Sequence, residues 1–302
     1  MTQLIVSTSN IQPVIDLVCN AVSSDHTRRA YARALSDFIT WHRSTGQQGF
    51  TKATVQAHIA SLKDSGISAS SINQRLTAIR KLALESADNG LIDESTARAI
   101  GRVEGIRKEG HRLGNWLSKE QAQTLLELPN AETVKGLRDR AILAVLLGCG
   151  LRREECATLT VEHIQQREGR WVIVDLVGKR SKTRSVPMPS WCKGAIDAYM
   201  AAAGVVDGLL FRSMRRGDKV VGEGMSAQAI FDVVKRYAAA LGVDVRPHDL
   251  RRTFAKLAHK GKAGVDQIQL SLGHSSMQTT ERYLGVEQDL HSAPCDNLGL
   301  TL

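Results

Sequence analysis

The sequence predicts a mainly α protein in two parts: an N-terminal helical bundle, and a second, mostly helical domain carrying one small antiparallel β-sheet. Three observations predict it. Apolar residues recur at helical spacing through most of the first hundred residues and again across the second half. Aromatic residues make up only 4% of a chain that is 42% hydrophobic, so the cores rest on Leu, Ile, Val and Ala, which favours packed helices over an aromatic-rich sandwich. A Val- and Ile-rich alternation of the strand kind stands out in one short stretch near residue 173. At 302 residues there is chain enough for two ordinary domains, each with its own core.

In the first part, Ser24 and Asp25 supply N-cap chemistry for a helix whose stripe is Tyr31, Leu35, Phe38, Ile39 and His42, ending at Gly46. A second helix covers Lys52 to Asp64, with Val55, Ile59 and Leu62 inward and Gly66 closing it. A third runs from Ser70 to about Asn89, with Ile72, Leu76, Ile79 and Leu82 on one side and Arg75, Arg80 and Lys81 elsewhere. Asn89-Gly90 is a turn signal, and a short helix from Glu94 to Ile100 completes the bundle. Residues 102–117 are rich in Gly, Arg and Lys with no apolar period, and read as a basic linker between residues 1–101 and a second domain over 118–302.

That second domain opens with Ser118 and Gln121 at capping-box spacing, for a helix through Leu128. Leu137 to Leu147 is apolar on all sides, as a buried helix is. After the Glu168-Gly169 turn, Arg170 to Leu176 reads as a strand, Gly178 to Lys182 as a turn and Thr183 to Met188 as its partner. Helices follow at Pro189–Ala203, Ser226–Leu241, Arg246–His259 and Val265–Leu272, and a last one from Ser275 to Leu284 is opened by Ser275 with Gln278 three residues on.

The bulk numbers narrow the function classes. The net charge of +9 attracts a polyanion, because neutralising phosphates releases condensed counterions, although charge alone fits many basic proteins. Five scattered cysteines, Cys19, Cys149, Cys156, Cys192 and Cys295, suggest neither a disulfide framework nor a zinc site. The longest apolar run, Ala141 to Leu151, is too short to span a bilayer, and no signal-peptide layout is present, so a cytoplasmic protein without membrane partners is expected.

Four segments carry the chemistry: GCGLRREECATL from Gly148, VGKRSKTRSVPMP from Val177, RPHDLRRTFA from Arg246 and LGHSSMQTTERYLG from Leu272. Each alone is a weak signal. Together and in this order they resemble the tyrosine recombinase (phage integrase) family, over residues 118 to about 286. In the first domain the resemblance is architectural, to a core-binding (SAM-like) DNA-binding bundle. It implies a catalytic set of Arg152, Lys179, His248, Arg251, His274 and the nucleophile Tyr283, with Glu155 at the family's acidic position. Two departures are visible: Arg252 follows the His-x-x-Arg pair where the family often has histidine, and the turn reads Gly-Lys-Arg rather than Gly-Lys-Gly.

The residue types suit strand transfer at a phosphodiester. Two guanidinium groups, Arg152 and Arg251, can meet the charge that builds on the non-bridging oxygens of five-coordinate phosphorus. A phenol of pKa about 10 needs a base or a positive field to attack, and His248 stands one helical turn from Arg251 to serve as that base. Lys179 would protonate the leaving 5′ oxygen, with Lys182 close enough to leave the choice between them open; His274 would donate to a phosphate oxygen. The phosphotyrosine ester keeps the bond energy, and no Walker-type loop is present, so neither ATP nor a metal or other cofactor is expected. Arg75, Arg80, Lys81, Arg107, Lys108, Arg112, Arg180, Lys182 and Arg252 are the expected DNA contacts.

The resemblance further implies a simple two-domain enzyme of the Xer or Cre kind, clamped around double-stranded DNA with inverted-repeat half-sites. The active form would be a homo-tetramer on two sites, with residues 285–302 as an arm toward a neighbouring protomer. A partner recombinase or an accessory DNA-bending protein stays open. The rival functions are a type IB topoisomerase-like strand cutter, a catalytically silent DNA-binding factor, and a basic scaffold with no DNA role.

Overall fold

The structure is a computed structural model that describes residues 12–46, 49–107, 115–178, 183–215, 217–274 and 276–284. It forms two compact units that divide between Arg112 and Leu113.

The first unit holds five helices: α1 (Gln12–Asn20), α2 (Asp25–Ser44), α3 (Lys52–Asp64), α4 (Ala69–Asp88) and α5 (Glu94–Gly101). Side-chain oxygens of Ser24, Thr51, Ser68 and Asp93 cap α2 to α5, each accepting from a backbone N–H three residues on and satisfying a donor the helix leaves unpaired. The expected stripes bury: Leu35, Phe38 and Ile39 of α2, Val55 and Ile59 of α3, and Ile72, Leu76, Ile79 and Leu82 of α4 share one core. Helix α1 joins that core through Ile15 and Val18, an element the sequence reading did not predict.

The chain that follows α5 is less free than a linker reading implies. Val103 is buried in the core, and its carbonyl accepts from the Arg80 guanidinium. The Asn73 side chain then pairs with Ile106 as a second backbone would, donating to its carbonyl at 2.9 Å and accepting from its N–H at 2.8 Å. A Cβ at Gly105 would meet Asn73 Oδ1 at 2.6 Å, so this approach requires glycine.

The second unit is built on α7 (Val134–Gly148), which is buried along most of its length from Ala141 to Leu147. Around it stand α6 (Lys119–Glu127), α8 (Arg153–Ala157), α9 (Ser190–Ala203), α10 (Ala227–Ala240) and α11 (Pro247–Lys260), and on α11 pack α12 (Val265–Leu272) and α13 (Met277–Leu284). The Ser118–Gln121 capping box is present in both directions. The sheet is antiparallel in the order β1 (Ile164–Arg167), β2 (Arg170–Val177), β3 (Thr183–Pro187), with Ile173 facing Ile164 on one side and Val186 on the other. A second hairpin pairs β4 (Ser213–Arg215) with β5 (Lys219–Val221).

The differences from the expected elements have local causes. Strand β1 reads Ile-Gln-Gln-Arg, half exposed and without alternation, and it exists because the Glu168-Gly169 turn, with both residues at positive φ, folds β2 back onto it. Helix α7 starts three residues earlier than its apolar run. Besides the Thr133 cap, the Asp218 carboxylate on the β4–β5 turn accepts from Val134 N and Lys135 N at 2.9 and 3.1 Å, a cap supplied from 84 residues away. The expected Ser275 cap lies outside the described residues; α13 is described from Met277.

Candidate active site

Helix α7 ends in Gly148-Cys149-Gly150, and the chain turns there through Gly150 at φ +60°. A Cβ at Gly150 would meet Phe254 Cδ1 at 2.7 Å, so α11 passes against bare backbone. Two residues on, Arg152 becomes the N-cap of α8 with its side chain one-third exposed. Glu155 folds back on it: the Arg152 N–H donates to Glu155 Oε2 at 2.8 Å, and Nη1 donates to Oε1 at 2.7 Å. Nε and Nη2 of Arg152 have no protein partner among the described residues. The local sequence Arg-x-x-Glu therefore closes a charged capping box and leaves one edge of the guanidinium for something else.

Helix α11 begins with Arg246 at its N-cap and Pro247 in its first turn, a position where the missing N–H costs nothing. His248 and Arg251 follow one turn apart. Arg251 is 1% exposed, yet its charge is not stranded. Its Nη1 donates to the Gly150 carbonyl at 2.5 Å, and Nη2 donates to the Leu272 carbonyl at the C-terminal end of α12, where the helix dipole favours a cation. Arg152, Arg246, His248, Arg251, Leu151 and Phe231 line one cleft of about 330 Å³. His248 lies at its exposed edge.

Helix α12 stops at Gly273, at φ +61°, which delivers His274. The main chain of His274 is held from both sides by Gln269: its N–H donates to the Gln269 carbonyl, and its carbonyl accepts from Gln269 Nε2 at 3.1 Å. Its Nδ1 lies 3.0 Å from the hydroxyl of Thr280, a fully buried residue of α13. Tyr283 is on the same helix, less than one turn beyond Thr280; its side chain is outside the described set.

The two imidazoles share one electrostatic setting. Partial burial, then the charges of Arg251 and Arg252, hold His248 below the ordinary 6.5, with Arg152 adding to the effect and Asp249 opposing it. Partial burial, then Arg251 and Arg152, bring His274 down to about 4, and His248 and Arg184 add to this. Both rings are accordingly neutral at pH 7. Glu155 shows the opposite balance: burial alone would raise it, but the hydrogen bonds from Arg184 and Arg152 bring it to about 2.

Three of the six expected site residues, Arg152, His248 and Arg251, line the cleft, and His274 stands close enough to feel the charges of Arg251 and Arg152. Lys179 lies outside the described residues, as do Arg180 and Lys182, although the flanking strands β2 and β3 pair up to Val177 opposite Thr183. Of the expected DNA contacts, Arg252 is half-buried beside His248 and Arg107 is exposed. Arg75 bonds Asp37 at 2.5 Å, Arg80 is committed to Val103, and Lys81 pairs with Glu85 on its own helix. Lys108 and Arg112 are outside the described residues. The sequence reading passed over Arg246, which lines the cleft, and Arg184 of β3, whose guanidinium holds Glu155. Adjacency to the His-x-x-Arg pair could have flagged Arg246, whereas nothing local points to Arg184. Among the described residues, no helix is long and apolar enough to cross a membrane.

Residues 115–289 match the phage integrase family, and residues 15–90 match the phage integrase N-terminal SAM-like domain. The tyrosine recombinase XerD of Pseudomonas aeruginosa is 31% identical over 299 residues, covering 93% of this chain and 96% of its own length. Among solved structures, the XerH site-specific recombinase bound to a palindromic difH substrate superposes with a TM-score of 0.67 at 19% identity, over 86% of this chain and 76% of that one. A lambda integrase dimer bound to a COC′ core site gives 0.69 at 17% identity, over 92% and 79%. At such identities the two solved structures speak for the fold, while the sequence matches speak for the family. The chain belongs to the phage integrase family and is a site-specific tyrosine recombinase.

Proposed function

We propose that this recombinase cleaves and rejoins DNA strands through a 3′-phosphotyrosine intermediate formed on Tyr283. The observation that carries the reading is the convergence of Arg152, Arg251 and His248 on one cleft with His274 within reach of the same charges, both imidazoles being neutral.

The Tyr283 hydroxyl attacks phosphorus, the P–O5′ bond breaks, and the phosphate remains on the tyrosine as a 3′ ester. Neutral His248 accepts the phenolic proton. The free edge of Arg152 and the buried fork of Arg251 neutralise the two non-bridging oxygens as charge accumulates there, in a site already arranged to receive it. If the Thr280 hydroxyl donates to Nδ1 of His274, the His274 proton sits on Nε2 and is free to bond a phosphate oxygen. The departing 5′ oxygen takes its proton from Lys179 or Lys182. Rejoining runs the same steps backward with a new 5′ hydroxyl, so the cycle consumes no ATP and these residues supply its charge stabilisation without a metal. This family assignment ranks the recombinase above a topoisomerase-like cutter or a silent binding factor.

Both units would engage one duplex, with Arg75, Arg107, Lys108, Arg112, Arg180, Lys182 and Arg252 on its backbone. Arg75, Arg80 and Lys81 contribute there only by leaving their present partners. A symmetric pair of protomers would read inverted-repeat half-sites, and two such pairs would form a tetramer in which residues 285–302 reach a neighbour. The enzyme would act in the cytoplasm, where a partner recombinase or a DNA-bending protein could take part.

The test is covalent trapping. Nicked suicide duplexes made from DNA flanking the gene are incubated with the protein in EDTA and resolved on denaturing gels beside Tyr283→Phe. A protein–DNA adduct that vanishes in the variant is the expected result. An adduct that survives in Tyr283→Phe removes that residue from the mechanism.

A further inference from the structure

Arg184, on β3, is the most fully committed cation near the cleft. Its side chain is 10% exposed and each of its three guanidinium nitrogens donates a hydrogen bond. Nη1 and Nη2 donate to Oε1 and Oε2 of Glu155, both at 2.8 Å, in a bidentate fork. Nε donates to the Ser271 carbonyl at 2.9 Å. Its Cδ packs so closely on Gly273 that a Cβ there would stand 2.8 Å away. One side chain thereby touches two pieces of the site: the Arg152–Glu155 box and the end of α12 that delivers His274.

The arithmetic of Glu155 defines what Arg184 does. A carboxylate offers about four acceptor positions. Arg184 takes two, the Arg152 N–H takes a third, and Arg152 Nη1 takes the fourth. With both Glu155 oxygens saturated, Arg152 can hold on by one nitrogen only, and its Nε and Nη2 stay turned away. Without Arg184, Glu155 would have room for a two-nitrogen grip on Arg152, and the cation meant for phosphate would be spent on a neighbouring carboxylate.

We propose that Arg184 is a positioning residue of the recombinase: by saturating Glu155 it keeps the outer edge of Arg152 free for the scissile phosphate, and by holding Ser271 and Gly273 it sets His274 against the same phosphate. This rests on the strand-transfer reading above and adds a residue to it. The distinction between the two arginines is one of commitment. Arg184 faces inward and touches no substrate, whereas Arg152 is left half-used.

The test compares Arg184→Gln, Arg184→Lys and Glu155→Gln, singly and with the first and last combined, in the full chain. Single-turnover adduct formation on the suicide duplex is expected to fall about 10- to 100-fold in Arg184→Gln, the scale of a small misplacement of a reacting group, with DNA affinity within about twofold of wild type. Arg184→Lys keeps the charge but loses the fork, and is expected to recover only part of the rate. Because one of the two routes of Arg184 runs through Glu155, the double variant is expected to lose less than the sum of the two single losses in free energy. A carboxyl NMR titration of Glu155, which needs no DNA, is expected to move up from about 2 in Arg184→Gln, because the fork and charge of Arg184 are lost while the Arg152 bonds remain. Losses that add in the double variant, or an unmoved Glu155 titration, overturn the proposal. If wild type forms no adduct on any duplex, the strand-transfer reading fails instead, and the titration still decides whether Arg184 governs Glu155. Arg184→Lys serves the same titration should Arg184→Gln not fold.

Discussion

Acidification should unfold the first unit through one histidine. His58 of α3 is 2% exposed and neither ring nitrogen has a hydrogen-bond partner among the described residues. Its ring lies 4.8 Å from that of Trp41 and 5.0 Å from that of Phe38, inside an aromatic cage. Burial, and then the charge of Arg75, bring its pKa from 6.5 to about 4, with Asp37 opposing. The folded state therefore disfavours the imidazolium, and the unfolded chain takes up the proton first as pH falls. Stability contributed by neutral His58 is complete above about pH 7 and declines between the unfolded value near 6.5 and the folded value near 4, by about 1.4 kcal/mol per pH unit. At pH 4.5 the loss is roughly 2 to 3 kcal/mol, a large part of the stability of a domain this size. His58→Phe keeps a ring in the cage and removes both unpaired nitrogens, so it should flatten the acid limb and add about 1 kcal/mol or more at pH 7. Urea unfolding at pH 7 and 4.5, followed through the ¹⁹F resonance of 5-fluorotryptophan at position 41, isolates this unit in the intact chain. If wild type and His58→Phe lose the same stability between the two pH values, the cage argument is wrong.

Two further outcomes follow from the cleft. Gly150→Ala forces a side chain into a left-handed residue, costing about 1 to 2 kcal/mol, and against Phe254, adding about 1 to 3 by overpacking; urea midpoints should drop accordingly and adduct formation should slow by at least about tenfold as the Gly150 carbonyl shifts from Arg251. Adduct formation by wild type should be flat through neutral pH and fall as pH drops below 6.5, because His248 protonates below its ordinary value; a pH–rate profile of His248→Gln should lose that limb, and an unchanged limb would assign the proton acceptor elsewhere.

What could be read from the sequence was what local pattern dictates. The stripes of α2 and α4 bury the expected residues because helical spacing alone decides which face turns inward. The Ser118–Gln121 box was legible because both partners lie within one turn. Helix α1 was missed because nine residues around Ile-Asp-Leu-Val fit a short strand as well as two turns of helix, until packing against α2 and α4 selects one. Strands β4 and β5 are three residues each and hold no apolar alternation. The site divides the same way. Arg152, His248, Arg251 and His274 stand in recognisable short motifs, whereas the Asp218 cap on α7 and the Arg184 fork on Glu155 join residues 84 and 29 apart and leave no local trace.

The anchoring of Arg251 also has a meaning for the newborn chain. Its guanidinium is held by two main-chain carbonyls, one 101 residues before it and one 21 after. At about 5 to 20 residues per second on the ribosome, roughly 5 to 20 seconds separate the synthesis of Gly150 from that of Arg251, and Leu272 and Tyr283 come later still. An incomplete or truncated polypeptide can display the early Arg-x-x-Glu loop, but it lacks Arg251 and Tyr283. On the proposed mechanism the chain cannot cut DNA until α13 has been made, a safeguard that requires no inhibitor and is written into the order of synthesis.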